Sequence, residues 1–216
     1  MQVTRIIAIR HGETAWNADT RIQGHLDIPL NQTGRWQAQR LARSLSSETL
    51  DAIYSSDLAR AFETASAISQ HHPELAGREP TQMPSLRERC FGTFEGQTWS
   101  EIETLWPDQA RRWRSRDLDF SPEGGESLVA LHSRIESAVD SIAQQHPGQQ
   151  IALVAHGGVM DVLYRLANRL DLQAPRTWEL GNTAVNRLLW SPEGLSLIGW
   201  SDTRHLDQGS LDEAAA

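Results

Sequence analysis

Ile6-Ile7-Ala8-Ile9 runs directly into Arg10-His11-Gly12, and Ile151-Ala152-Leu153-Val154-Ala155 runs into His156-Gly157-Gly158. Each histidine therefore stands at the tip of an apolar run, with a glycine behind it. An imidazole nitrogen without a proton is a competent nucleophile, and its adduct divides one hard displacement into two easier ones. Arginine adds a planar fork that suits groups carrying several oxygens. Arg60 falls in the predicted first turn of a helix, where free amides and the dipole already favour an anion and a cation is locally unfavourable. That conflict is understood if Arg60 serves a ligand, although an ion pair to Asp57 or Glu63 would also account for it. Two histidines and two arginines converging on one pocket would bind a phosphoryl group. The plainer alternative makes Arg10 a surface cation and His11 a cap on its strand.

The elements that must carry these residues follow from hydrophobic periodicity. Unbroken apolar runs rich in Ile and Val fit strands covered on both faces, and such strands belong to parallel sheets with helices on either side. Ligands in such sheets bind beyond the carboxyl ends of the strands, where Arg10, His11 and His156 stand. The expected fold is α/β: three layers, a mostly parallel central sheet flanked by helices on both faces, and an edge hairpin near the C-terminus. Asn31 caps a helix whose Ala38, Leu41, Ala42 and Leu45 share one face. Leu50–Tyr54 reads as a strand, Ser55-Ser56-Asp57 as its turn and cap, and Leu58 to Ile68 as the next helix. A short edge strand is expected near Pro80–Met83. Helices follow at Leu128–Ile142 and after Gly157-Gly158, and Ala184–Trp190 pairs with Leu195–Trp200 across Pro192-Glu193-Gly194. Gln97 to Arg116 reads as helical but broken at Pro107, with Trp99, Trp106 and Trp113 among several arginines. It either selects substrate or packs under a solvated basic face.

Composition narrows the partners. At 216 residues the chain has room for one sizeable core, giving one domain over 1–208 and a frayed tail over 209–216. A net charge of -8 argues against nucleic acid or an anionic membrane as partner. All 20 basic residues are arginine, which removes any mechanism based on lysine. One cysteine, Cys90, excludes a disulfide framework, and the lack of a signal segment or a long apolar run points to a cytoplasmic protein. A cysteine phosphatase needs an arginine six residues beyond its nucleophile, where Gly96 stands. Asp117 and Asp119 have the spacing of a haloacid-dehalogenase pair but follow arginines rather than a strand. The other histidines, His25, His71, His72, His132, His146 and His205, form no ligand spacing and read as surface residues, so no metal site is expected.

Taken in order, Arg10-His11-Gly12, Asn17 with Arg21-Ile22-Gln23-Gly24, Ser55-Ser56-Asp57-Leu58-Ala59-Arg60-Ala61 and Val154-Ala155-His156-Gly157-Gly158 resemble the histidine phosphatase superfamily, which includes the cofactor-dependent phosphoglycerate mutases. The resemblance implies that His11 is the nucleophile and carries a transient phosphohistidine, with no other cofactor. It implies that Arg10, Arg60 and His156 stabilise the transferring group, and that Asn17, Gln23, Gly24 and Gly157 line the phosphate pocket. Glu88, four residues before Gly92, inherits the role of proton donor. The short interval between Glu88 and His156, its lack of lysine and its Gly124-Gly125-Glu126-Ser127 turn resemble the phosphatase branch, implying a histidine acid phosphatase-type phosphomonoesterase acting on a small-molecule phosphomonoester. Arg111-Arg112 keeps a mutase as the alternative, and a non-catalytic phospholigand-binding protein of the same fold is another. Members often form dimers, so a homodimer is left open.

Overall fold

The computed structural model describes residues 2–207; the expected tail at 209–216 lies outside them. In chain order the elements are β1 (Thr4–Arg10), α1 (Ala15–Ala18), α2 (Gln32–Leu45), β2 (Ala52–Ser55), α3 (Ala59–His71), β3 (Thr81–Gln82), α4 (Trp99–Leu105), α5 (Pro107–Arg114), α6 (Leu128–Ala143), β4 (Gln150–Ala155), α7 (Gly157–Asn168), β5 (Val185–Ser191) and β6 (Gly194–Asp202).

The strands form one sheet in the order β3-β2-β4-β1-β5-β6. β3, β2, β4 and β1 run parallel, while β5 and β6 add an antiparallel hairpin at the edge. This is the expected α/β architecture. Alternation explains why the central strands are apolar throughout: Ile6 and Ala8 of β1, with Ile151 and Leu153 of β4, face α6 and α7. Ile7 and Ile9, with Ala152 and Val154, face α2 and α3. Both faces are dry, so no position on these strands is left for a polar side chain until the strand ends.

The register then does the positioning. β1 and β4 are parallel neighbours with Arg10 opposite Ala155, so the next residues, His11 and His156, leave the sheet side by side. The His11 amide donates to the Ala155 carbonyl at 3.0 Å, extending the ladder by one step. β2 ends alongside at Ser55, opposite Val154, and delivers α3 and Arg60 to the same edge.

Two local expectations change. Ser55-Ser56-Asp57 supplies no side-chain cap to α3, whose N-cap is Leu58. The Ala59 amide is instead met by Asp27 Oδ1 at 2.7 Å, a cap reaching across from the preceding loop. His72 is not a surface residue: it is buried and bonds the Glu48 carbonyl through Nε2 at 2.6 Å. The tryptophan segment breaks at Pro107 as expected, and α4 and α5 fold over a third cluster of Phe94, Ile102, Ala110 and Phe120. Among the described residues no helix is long and apolar enough to cross a membrane.

Candidate active site

A cavity of ≈ 170 Å³ lies at the carboxyl edge of the sheet, lined by Arg10, His11, Asn17, Gln23, Gly24, Arg60 and Glu88 together with Arg21, Ile22 and Phe91. It opens beside a larger chamber of ≈ 790 Å³ that shares Arg10, Glu88 and Phe91 and reaches Gly157, Trp99 and Trp113. Thus Gly157 lines the chamber rather than the small cavity. His156 lines neither; it is fully buried behind His11, ring centroids 5.2 Å apart.

His11 Nδ1 lies 2.7 Å from the Gly12 carbonyl oxygen. A carbonyl only accepts, so Nδ1 carries the proton and Nε2 keeps its lone pair. Burial first, then the charges of Arg60 and Arg10, hold the ring well below the usual histidine pKa, against a smaller opposite effect of the Gly12 bond. The ring is thus neutral at neutral pH, with the Nε2 lone pair free of a proton. His156 is lowered in the same way, by burial and then by Arg60.

The two arginines, Arg60 buried and Arg10 half-buried, are desolvated at a cost. Arg60 is 1% exposed and bonds only carbonyls, those of Leu26 at 2.9 Å and Gly24 at 2.8 Å. The ion pairs that could have explained it are made elsewhere: Asp57 pairs with Arg87 and Glu63 with Arg35. Burial takes its pKa down to about 10. Burying a cation without a carboxylate partner costs on the order of several kcal/mol, so the fold keeps Arg60 where an anion would repay it. Arg10 donates through Nη1 to the Leu180 carbonyl, and burial lowers its pKa too.

Five buried polar atoms in this small region have no hydrogen-bond partner among the described residues: Arg10 Nε, Arg60 Nε, Gln23 Oε1 and both ring nitrogens of His156. Native interiors leave such groups unpaired rarely, and a cluster of them marks a place for a polar ligand. Asn17 contributes differently. Its Oδ1 is spent on Thr14 in a capping box that closes α1, leaving its amide nitrogen as what it can offer. Gly24 has φ +53, and a Cβ there would stand 2.1 Å from Glu95 Oε1.

Glu88 is only half-buried, yet it is not an ordinary surface carboxylate. Its neighbours Arg87 and Arg89 turn elsewhere, to Asp57 and to the carbonyls of Glu126 and Phe120. The carboxylate instead accepts from the Gly158 amide in the first turn of α7. Arg134 of α6 holds the preceding backbone, bonding the carbonyls of Ser85 at 2.8 Å and Arg87 at 3.0 Å while pairing with Glu126 at 2.7 Å. The Gly124-Gly125-Glu126-Ser127 turn thereby acquires a role: Ser127 caps α6, and Glu126 fixes the arginine that fastens the Glu88 segment.

Sequence reasoning missed several supporting groups. Glu95 Oε1 accepts from the amides of His25 and Phe91, both at 3.0 Å, and so ties the 21–26 loop to the Glu88 segment. His25, read as a surface residue, reaches the Glu88 carbonyl through Nε2 at 2.9 Å. Asn182 donates to the His11 carbonyl at 2.9 Å. All three act across long sequence separations, which periodicity cannot register. Cys90 donates to the Gly124 carbonyl, and burial pushes its thiol up, away from nucleophilic chemistry. Among the described residues no group of three His, Cys, Asp or Glu side chains is arranged to hold a metal ion.

A family model described as the histidine phosphatase superfamily, branch 1, matches residues 6–203. The chain belongs to that superfamily. Branch 1 is therefore the wording that applies, in place of a histidine acid phosphatase type. Among histidine phosphatase relatives, a phosphoglycerate mutase-like protein 4 of Arabidopsis thaliana is 40% identical over 206 residues, covering 94% of this chain and 87% of that protein. A metal-independent phosphoserine phosphatase of the same plant is 36% identical over 209 residues, covering 95% and 84%. The solved structure of Bacillus stearothermophilus YhfR superposes with a TM-score of 0.85 at 31% identity, covering 94% of this chain and all of that one. The Arg111-Arg112 pair stands apart from the site: Arg111 pairs with Asp108 on the surface and Arg112 with Asp117, and neither lines the cavity or the chamber.

Proposed function

We propose that this chain hydrolyses phosphomonoesters of small metabolites through a phosphohistidine on His11, without a metal ion. The observation that carries the reading is the cluster of unpartnered buried polar atoms, the Arg10 and Arg60 Nε donors among them, around a neutral His11 whose Nδ1 proton is held by the Gly12 carbonyl. In the first step the Nε2 lone pair forms the N–P bond while the P–O bond to the leaving group breaks, and Glu88 gives its proton to the departing oxygen. Arg10, Arg60 and His156 meet the charge on the equatorial oxygens, with Asn17, Gln23 and Gly24 at the rim of the cavity. Once the alcohol leaves, Glu88 takes a proton from water, the water oxygen bonds to phosphorus and the N–P bond breaks. For the first step Glu88 must carry the proton that it passes to the departing oxygen.

The phosphatase reading rests on the metal-independent phosphoserine phosphatase relative and on the displacement of Arg111 and Arg112 from the cleft. A mutase shares the first step, so products decide. Phosphorus NMR is followed with a panel of phosphomonoesters in a metal chelator, including 3-phosphoglycerate with a trace of 2,3-bisphosphoglycerate. Free phosphate is expected, and it disappears in His11→Ala with the fold intact. Conversion of 3-phosphoglycerate to its 2-isomer without free phosphate would replace hydrolysis by transfer, and turnover retained in His11→Ala would remove the nucleophile.

A further inference from the structure

Resting on the reading of the small cavity as a phosphoryl site, the chamber beside it is where the remainder of a substrate must lie. Arg89, Arg114, Arg116 and Arg176 all line it, together with Arg10 and Glu88 at the junction with the phosphoryl end. Three of the four cations unique to the chamber are occupied. Arg89 donates to two carbonyls and stacks on Trp113 at 4.2 Å. Arg114 pairs with Glu103 over the Trp99 ring, and Arg116 pairs with Asp161 at 3.1 Å.

Arg176 stands apart. It is exposed on the loop between α7 and β5, and no hydrogen bond or ion pair joins it to another described residue. Its charge faces like charges, since both Arg10 and Arg116 feel it. The two carboxylates that line the chamber are engaged elsewhere, Asp161 with Arg116 and Arg165 and Glu88 with the Gly158 amide, and neither pairs with Arg176. The same loop is tied to the phosphoryl end, because Arg10 donates to the Leu180 carbonyl and Asn182 to that of His11. The position of Arg176 is therefore coupled to the reacting groups. We propose that Arg176 is a specificity-determining residue that receives a second anionic group of the substrate, a carboxylate or a second phosphate, in the chamber beside the phosphoryl site.

The test compares near-isosteric pairs on the wild type, Arg176→Ala and Arg176→Lys. 3-Phosphoglycerate against glycerol 3-phosphate isolates a carboxylate; fructose 1,6-bisphosphate against fructose 6-phosphate isolates a second phosphate. The wild type is expected to prefer the doubly anionic member of one pair in kcat/KM. Arg176→Ala lowers that preference about tenfold, the scale of one charge-assisted hydrogen bond in a partly solvated site, and Arg176→Lys restores part of it. The pair in which this happens names the group. A wild type without preference in either pair, or a preference untouched by Arg176→Ala, overturns the proposal. If no compound releases phosphate, hydrolysis is what fails, and calorimetric binding of the same pairs to the same proteins then decides the role of Arg176 by the same criterion.

Discussion

The Gly158 amide donates to both carboxylate oxygens of Glu88, at 3.1 and 3.0 Å, and a Cβ at position 158 would stand 2.2 Å from Oε1. The first turn of α7 thus fixes the carboxyl group at the mouth of the cavity, and only glycine permits the approach. Gly158→Ala is expected to push Glu88 out of line while α7 stays folded. The loss in kcat/KM, which reports formation of the phosphohistidine and not its hydrolysis, should be larger for an alkyl phosphate, whose leaving group needs a proton, than for p-nitrophenyl phosphate, whose leaving group does not. On the scale of general acid catalysis, roughly 10²-fold separates the two. Equal losses on both substrates would mean that Gly158 does not act through Glu88.

His11 and His156 predict how stability varies with pH. Both have pKa values held well below the unfolded histidine value by burial, with Arg60 adding to it. Below that unfolded value the unfolded chain takes up protons that the folded chain refuses, so stability falls as pH drops from about 6.5 toward the folded values and levels off above it. Each histidine contributes a slope of up to about 1.4 kcal/mol per pH unit in that window. Urea unfolding between pH 7.5 and 5 should show the fall, and His156→Asn should make it shallower.

Arg60 predicts a ligand effect without turnover. Inorganic phosphate or vanadate that binds the folded chain raises its stability by about 2.7 kcal/mol at one hundred times its dissociation constant. A thermal shift is expected in the wild type and should vanish in Arg60→Gln. Arg60→Lys should recover little of it, because a point charge cannot span the Gly24 and Leu26 carbonyls and still present a donor to the ligand. A full shift in Arg60→Gln would place the anion elsewhere.

Glu95 predicts loss by loosening. Removing its carboxylate leaves the His25 and Phe91 amides unmatched, at about 1–3 kcal/mol for each that stays buried. Glu95→Ala should raise hydrogen exchange over residues 21–26 and reduce kcat/KM, whereas Glu95→Gln keeps an acceptor and should lie close to the wild type. Identical exchange in Glu95→Ala and the wild type would remove Glu95 from the support of that loop.

The sequence by itself determined the strands and what stands at their tips. The apolar runs ending at Arg10 and Ala155 can only be strands buried on both faces, so the adjacent histidines had to emerge at the carboxyl edge of a sheet. The faces of α2 and α6 and the hairpin of β5 and β6 followed from spacing alone, because burial there is set by periodicity. What only the tertiary structure decided depends on pairs far apart in the chain. Which glycine touches Glu88 follows from the meeting of the Glu88 segment with α7, seventy residues later. Whether Arg111 and Arg112 meet the substrate or form a solvated face is open in the sequence; they stand on the surface, since the direction of α5 is set by the packing of Phe94, Ile102 and Ala110 beneath it. Arg176 attracted no attention in the sequence, having neither period nor motif around it. Its exposure at the rim of the chamber without a counter-ion is a property of the folded loop, because the electrostatics of a side chain are fixed by the charges that folding brings near it.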